Sequence, residues 1–125
     1  MNARSGGIIG LCNTNGMTNV IINNCLNLGT IYGVLVGGIV GTNDASMTMN
    51  NCINAGSIIG ITTAGGIIGR SNSLHNHFDS YYNCINSAVI RGTQPNTNLG
   101  CIIADPGNGS IIDCYWDQQT CPYEK

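Results

Sequence analysis

The chain has 125 residues, a net charge of −2 and only 8% charged residues, against roughly a quarter in an ordinary soluble domain. Its four basic residues, Arg4, Arg70, Arg91 and Lys125, are too few and too scattered to bind nucleic acid or an anionic bilayer, both of which need clustered cations. No apolar run approaches the ~18 residues of a membrane span. An apolar content of 42%, with β-branched residues returning in register, also argues against disorder.

In chain order, Met1-Asn2-Ala3-Arg4 reads as a lead-in with no signal-peptide core. The chain is thus expected to be a fragment of something longer, or to leave the cell by a route the sequence does not show. Gly6-Gly7-Ile8-Ile9-Gly10 is predicted as a short buried strand fenced by glycine, and Asn13-Thr14-Asn15-Gly16 as a turn. A second strand is predicted through Val20–Leu26, a turn at Asn27-Leu28-Gly29, and a third strand from Thr30 to Val34. The glycine phrase then returns as Val36-Gly37-Gly38-Ile39-Val40-Gly41 and Ala64-Gly65-Gly66-Ile67-Ile68-Gly69, and in worn form as Leu99-Gly100-Cys101-Ile102-Ile103-Ala104. Between these copies runs a second phrase, Asn24-Cys25, Asn51-Cys52 and Asn83-Cys84, closing as Asp113-Cys114. The cysteines step by about 30 residues, a period that marks a repeated supersecondary unit with variable loops.

Three short strands per repeat, with no helical spacing, predict an all-β fold: one domain over 1–125, a parallel β-helix of about four coils. The repeats span about 5–34, 35–62, 63–98 and 99–125, the last with a C-terminal cap. Stacked coils place like residues in ladders ~4.8 Å apart. Ile8, Ile39, Ile67 and Ile102 form one core ladder, and Ile31, Ile58 and Ile90 another. Cys25, Cys52, Cys84 and Cys114 fill a narrow corner. Asn27, Asn54 and Asn86 bond their neighbours above and below, which satisfies buried amides. Gly7, Gly38 and Gly66 fall where the backbone needs positive φ or coils approach too closely for a Cβ. The cysteines face inward and Leu26, Ile53 and Ile85 outward. Strict alternation then sends Ile22 and Met49 outward, so a bend must lie in between.

Arg70 to Tyr82 reads as a loop extruded from the stack, and Arg70, His75, His77, Tyr81 and Tyr82 as its candidate ligand-contacting residues. His75, His77 and Asp79 are the only constellation with metal-ligand spacing, and paired histidines on a polar loop more commonly just meet solvent. The seven cysteines include no Cys-x-x-Cys pair to seed a zinc site, so no metal or other cofactor is expected. The ladder cysteines read as buried free thiols, since stacked parallel side chains do not meet disulfide torsion easily. Cys12, Cys101 and Cys121 lie outside the ladder, and Cys114 with Cys121 suits a small C-terminal loop. Asp105, Asp113 and Asp117 are the acids available for glycoside chemistry, but all fall in the closing repeat, where charge and bulk suit a cap. No catalytic residues are assigned.

The alternation of Gly-Gly-Ile-Ile/Val-Gly with Asn-Cys-x-Asn-x-Gly-x-Ile-x-Gly, closed by Cys114-Tyr115-Trp116-Asp117, resembles the GLUG-type repeats of bacterial and protist surface proteins. Similar repeats occur in the non-catalytic N-terminal region of IgA-specific metallopeptidases. The resemblance covers residues 5–117 and implies a right-handed parallel β-helix in an extracellular or cell-surface adhesin-like protein, without catalytic residues. The expected function is a non-enzymatic structural or adhesive solenoid, stacking end to end into a rod or filament or onto neighbouring β-helix repeats. The alternative is a monomeric module that binds a glycan or a host protein. A polysaccharide-degrading β-helix enzyme ranks below both.

Overall fold

The computed structural model describes residues 3–13, 19–71, 79–107 and 109–123. These residues form strands and turns alone. The first layer comprises β1 (Arg4–Gly6), β2 (Ile9–Cys12), β3 (Asn19–Asn23) and β4 (Leu26–Asn27). The second comprises β5 (Ile31–Gly37), β6 (Val40–Asn43), β7 (Ser46–Asn50) and β8 (Ile53–Asn54). The third comprises β9 (Ile58–Gly65), β10 (Ile68–Ser71), β11 (Ser80–Tyr82) and β12 (Ile85–Asn86). The fourth comprises β13 (Ile90–Gly92), β14 (Asn98–Gly100), β15 (Ile103–Asp105), β16 (Ser110–Ile112) and β17 (Tyr115–Trp116).

Like strands of successive layers pair in parallel, giving four sheets that enclose two clusters of buried apolar side chains. The fold is therefore a parallel β-solenoid, as the repeat predicts, of about three full turns in four layers of strands, slightly fewer than the four coils expected. Its turn has four strands, not the three expected. The extra division falls at the asparagine of each Asn-Cys phrase: Asn24, Asn51 and Asn83 have φ of 58°, 58° and 54°, and Asp113 has 52°. This is the left-handed region, which asparagine and aspartate tolerate better than other residues with a side chain.

That corner is the bend that strict alternation lacked. Met49 and Cys52 are both fully buried, although an odd spacing of three cannot put two side chains on one face of an uninterrupted strand. The left-handed Asn24 and Asn51 reset the phase, so Ile22 and Met49 point inward, where strict alternation would have sent them outward, while Leu26, Ile53 and Ile85 face out at 52, 38 and 39% exposure. The glycine phrase is likewise a corner rather than a strand: β5 ends at Gly37, and β6 begins only at Val40.

The predicted isoleucine ladders form. Ile8, Ile39 and Ile67 each donate a backbone N–H to the carbonyl of the next member, Ile39, Ile67 and Ile102. Ile31, Ile58 and Ile90 pair in register. Ile39 and Ile67 are fully buried, worth about 1.5–3 kcal/mol each. Outer faces carry the amide pairing that a weakly charged chain needs: Asn50 Nδ2 donates to Asn23 Oδ1 at 2.9 Å, and Asn19 Nδ2 to Thr48 Oγ1 at 3.2 Å.

Candidate functional site

The asparagine ladder crosses the interior as a continuous chain. Asn27 Nδ2 donates to Asn54 Oδ1 at 2.8 Å, and Asn54 Nδ2 to Asn86 Oδ1 at 2.9 Å. Each Oδ1 also accepts the N–H two residues on, from Gly29, Gly56 and Ala88. Satisfied this way, the buried amides fix the register of successive coils. Opposite them stand the second glycines. A Cβ on Gly38 would lie 2.1 Å from Gly66 O and 2.5 Å from Asn54 Cγ, and one on Gly66 would lie 2.1 Å from Cys101 O and 2.5 Å from Asn86 Cγ.

In the fourth layer both partners change together: Cys101 stands where the second glycine stood, and Trp116 pairs in register with Asn86. No further described layer presents a carbonyl against position 101, so a side chain fits there. It is used for a disulfide: Cys101 bonds Cys121, not the Cys114–Cys121 pairing expected. The tail after β17 is thereby drawn across the end of the stack. Cys121 is fully buried with Ile58, Ala64 and Ile90, with Trp116 and Tyr123 packed alongside. Thr120 Oγ1 donates to Ser87 O at 3.3 Å. Sequence reading missed this pair because its cue, the loss of one glycine, looked like decay of the repeat.

Around the tail the surface is hollowed. One recess of about 480 Å³ is lined by Trp116, Gln118, Pro122 and Tyr123. A second, of about 260 Å³, is lined by Cys114, Tyr115, Trp116 and Gln118. The opposite end differs. β1 to β4 each pair with one neighbour, in the second layer, as β13 to β17 do with the third, so the difference lies in the side chains and the tail. Ile8 is 49% exposed and Leu11 42%, whereas Ile39 and Ile67, the rungs after Ile8, are fully buried. Among the described residues, Asn27 Oδ1 accepts from Gly29 alone, one bond fewer than Asn54 Oδ1.

The remaining cysteines are free thiols: Cys12, Cys52 and Cys84 are buried, and Cys25 and Cys114 half-buried. Cys25, Cys52 and Cys84 follow one another through the stack, each carbonyl accepting from Ile53, Ile85 and Tyr115 in turn. Cys84 Sγ donates to Tyr82 O at 3.5 Å; interaction with the Cys114 and Cys52 thiols pushes the Cys84 pKa well up, and the same interaction with Cys84 draws Cys114 down to about 7 against burial. Cys12 is raised by burial, and further by the carboxylates of Asp44 and Asp79.

Of the expected ligand loop, His75 and His77 lie outside the described residues. Arg70 Nε sits 3.4 Å from Asp105 Oδ2, with both side chains near half-exposure. Tyr81 is fully buried and so does not serve as a surface contact; Tyr82 is half-buried beside it. Asp79, the third candidate ligand, is 3% exposed. Its carboxylate accepts from Ser71 Oγ at 2.6 Å and from Met47 N at 3.1 Å, and Tyr81 donates its hydroxyl to Ser71 at 3.1 Å. Burial pushes the Tyr81 phenol up. Asn43 Nδ2 and Thr42 Oγ1 are also buried, with no hydrogen-bond partner among the described residues, so this cluster is an interior polar patch and not a surface site. Among the described residues, no group of three or more His, Cys, Asp or Glu is placed to hold a metal ion. No protein-family model matches the chain, and no match was found among curated proteins or solved structures.

Proposed function

We propose that the chain is a non-enzymatic structural or adhesive module of an extracellular or surface protein of the GLUG-repeat kind, and that it works by joining its N-terminal coil to another β-edge. The observation that carries this reading is the contrast between the two ends. The strands of both end layers are single-paired, but at the N-terminal one Ile8 is exposed and the described amide ladder is one donor short, whereas the C-terminal one is crossed by a disulfide-held tail. Unpaired strand edges with apolar side chains are templates for further strands. The Cys101–Cys121 bond suits an oxidising compartment, which favours the extracellular placement.

The tail and Trp116 interrupt the glycine and asparagine rows on the C-terminal side. Head-to-tail growth into a filament is therefore disfavoured, and an isolated chain is expected to pair N-terminal edge to N-terminal edge, a contact that closes on itself. Sedimentation velocity on the wild type and on Ile8→Lys tests this. The substitution is at an exposed position and should leave the fold intact, while a charge at the joint abolishes association. Equal sedimentation of the two proteins at every concentration would overturn the reading.

A further inference from the structure

Three of the chain's seven aromatic residues, Tyr115, Trp116 and Tyr123, fall within nine positions of the C-terminal cap. They line the two recesses, about 480 and 260 Å³, which adjoin because both are walled by Trp116 and Gln118. The larger falls within the range of small-molecule sites. Its walls include the aromatic side chains of Trp116 and Tyr123, the pyrrolidine ring of Pro122 and the amide-bearing Gln118; the smaller adds Tyr115, which is 62% exposed. Among the described residues, none that lines either is Asp, Glu, Lys or Arg. Trp116 is held from behind by both core clusters, and the Cys101–Cys121 bond fixes the tail bearing Pro122 and Tyr123.

We propose that this cleft is a binding site for a neutral saccharide. A sugar ring offers an apolar C–H face that suits aromatic surfaces, and hydroxyls that need an uncharged partner able both to donate and to accept, as the Gln118 side-chain amide does. An anionic ligand would find no cation among the described lining residues, and a purely apolar one would leave the Gln118 amide unpaired. The site lies at the opposite end of the stack from the edge contact proposed above and does not depend on it.

The chain has a single tryptophan, in the cleft, so its fluorescence reports occupancy directly. The test titrates the full chain with neutral trisaccharides of glucose, galactose, mannose and N-acetylglucosamine, with a sialylated trisaccharide beside them. At least one neutral sugar should shift the emission saturably, with a dissociation constant of roughly a millimolar or tighter. Gln118→Ala should weaken it about five- to tenfold, and Tyr115→Ala roughly three- to tenfold. Both side chains are exposed, so the variants should keep the wild-type far-UV spectrum and free-thiol count. Silence toward every neutral sugar, binding of the sialylated sugar alone, or binding unchanged in the folded Gln118→Ala, Tyr115→Ala double variant would each overturn the proposal.

Discussion

Asn86 pairs in register with Trp116, and its Nδ2, which in the two earlier coils donates to the next asparagine, turns to Ala88 O at 3.3 Å. The amide chain thus ends inside the protein at its C-terminal side and at an exposed edge on the other. Asn54, in the middle, has bonds to Asn27, Asn86 and Gly56. Asn54→Ala should cost about 2–4 kcal/mol, because it orphans buried groups on both neighbours. Asn27→Ala should cost about 1 kcal/mol less or better. Urea unfolding of the two variants measures the difference.

The second glycine of each corner should be intolerant for a reason of space, not of backbone angle. Gly38→Ala places a methyl 2.1 Å from a backbone oxygen and should destabilise by more than about 4 kcal/mol or prevent folding. At Gly29 the nearest atom to an added Cβ is 3.7 Å away, so Gly29→Ala should be neutral or stabilise by about 0.4–1 kcal/mol. Thermal melts of the two variants give the comparison.

The left-handed corner makes a separate prediction. Asn51 is exposed with φ of 58°, so Asn51→Ala should cost about 1–2 kcal/mol and Asn51→Gly little or nothing. A loss equal for the two would show that the side chain, and not the dihedral, matters there.

The tail is held by one covalent bond across 20 residues of sequence, which is worth about 3 kcal/mol by loop closure. A thiol count on the unfolded chain should give five free thiols without reductant and seven with it. Cys101→Ser should lower stability by about that amount while leaving coils two and three folded.

Interaction with the Cys84 thiol draws the Cys114 pKa down to about 7. In Cys84→Ala its pKa should rise toward the ordinary thiol value, read from the pH dependence of its alkylation by iodoacetamide. The linked stability has a fixed sign. A folded pKa below the unfolded one adds stability above the ordinary thiol pKa, which is lost as pH falls through about 7. Cys84, whose pKa is raised, acts oppositely, giving up stability as pH climbs beyond the ordinary thiol value.

The repeated phrases were enough to read the fold, its parallel stacking, the isoleucine and asparagine ladders and the inward cysteines, because stacking makes like residues meet. Strand division was hidden in the asparagine before each cysteine, whose role is a dihedral and not a contact; periodicity in hydrophobicity carries no sign of it. The disulfide was hidden because Cys101 replaces a glycine only where the stack stops, a fact about three-dimensional neighbours. The loop bearing Tyr81 looked like surface from its polar composition. Yet Ser71, Asp79 and Tyr81 satisfy one another inside, a pairing between both ends of an insertion that linear reading does not show.

The claim that the N-terminal coil seeks another β-edge is tested most directly by the molar mass of the native protein. Light scattering on the gel-filtered chain over a concentration series would give it. The account predicts a mass rising from 13.1 kDa to a plateau at twice that value. A monomer throughout, or polymers growing without a plateau, would contradict it.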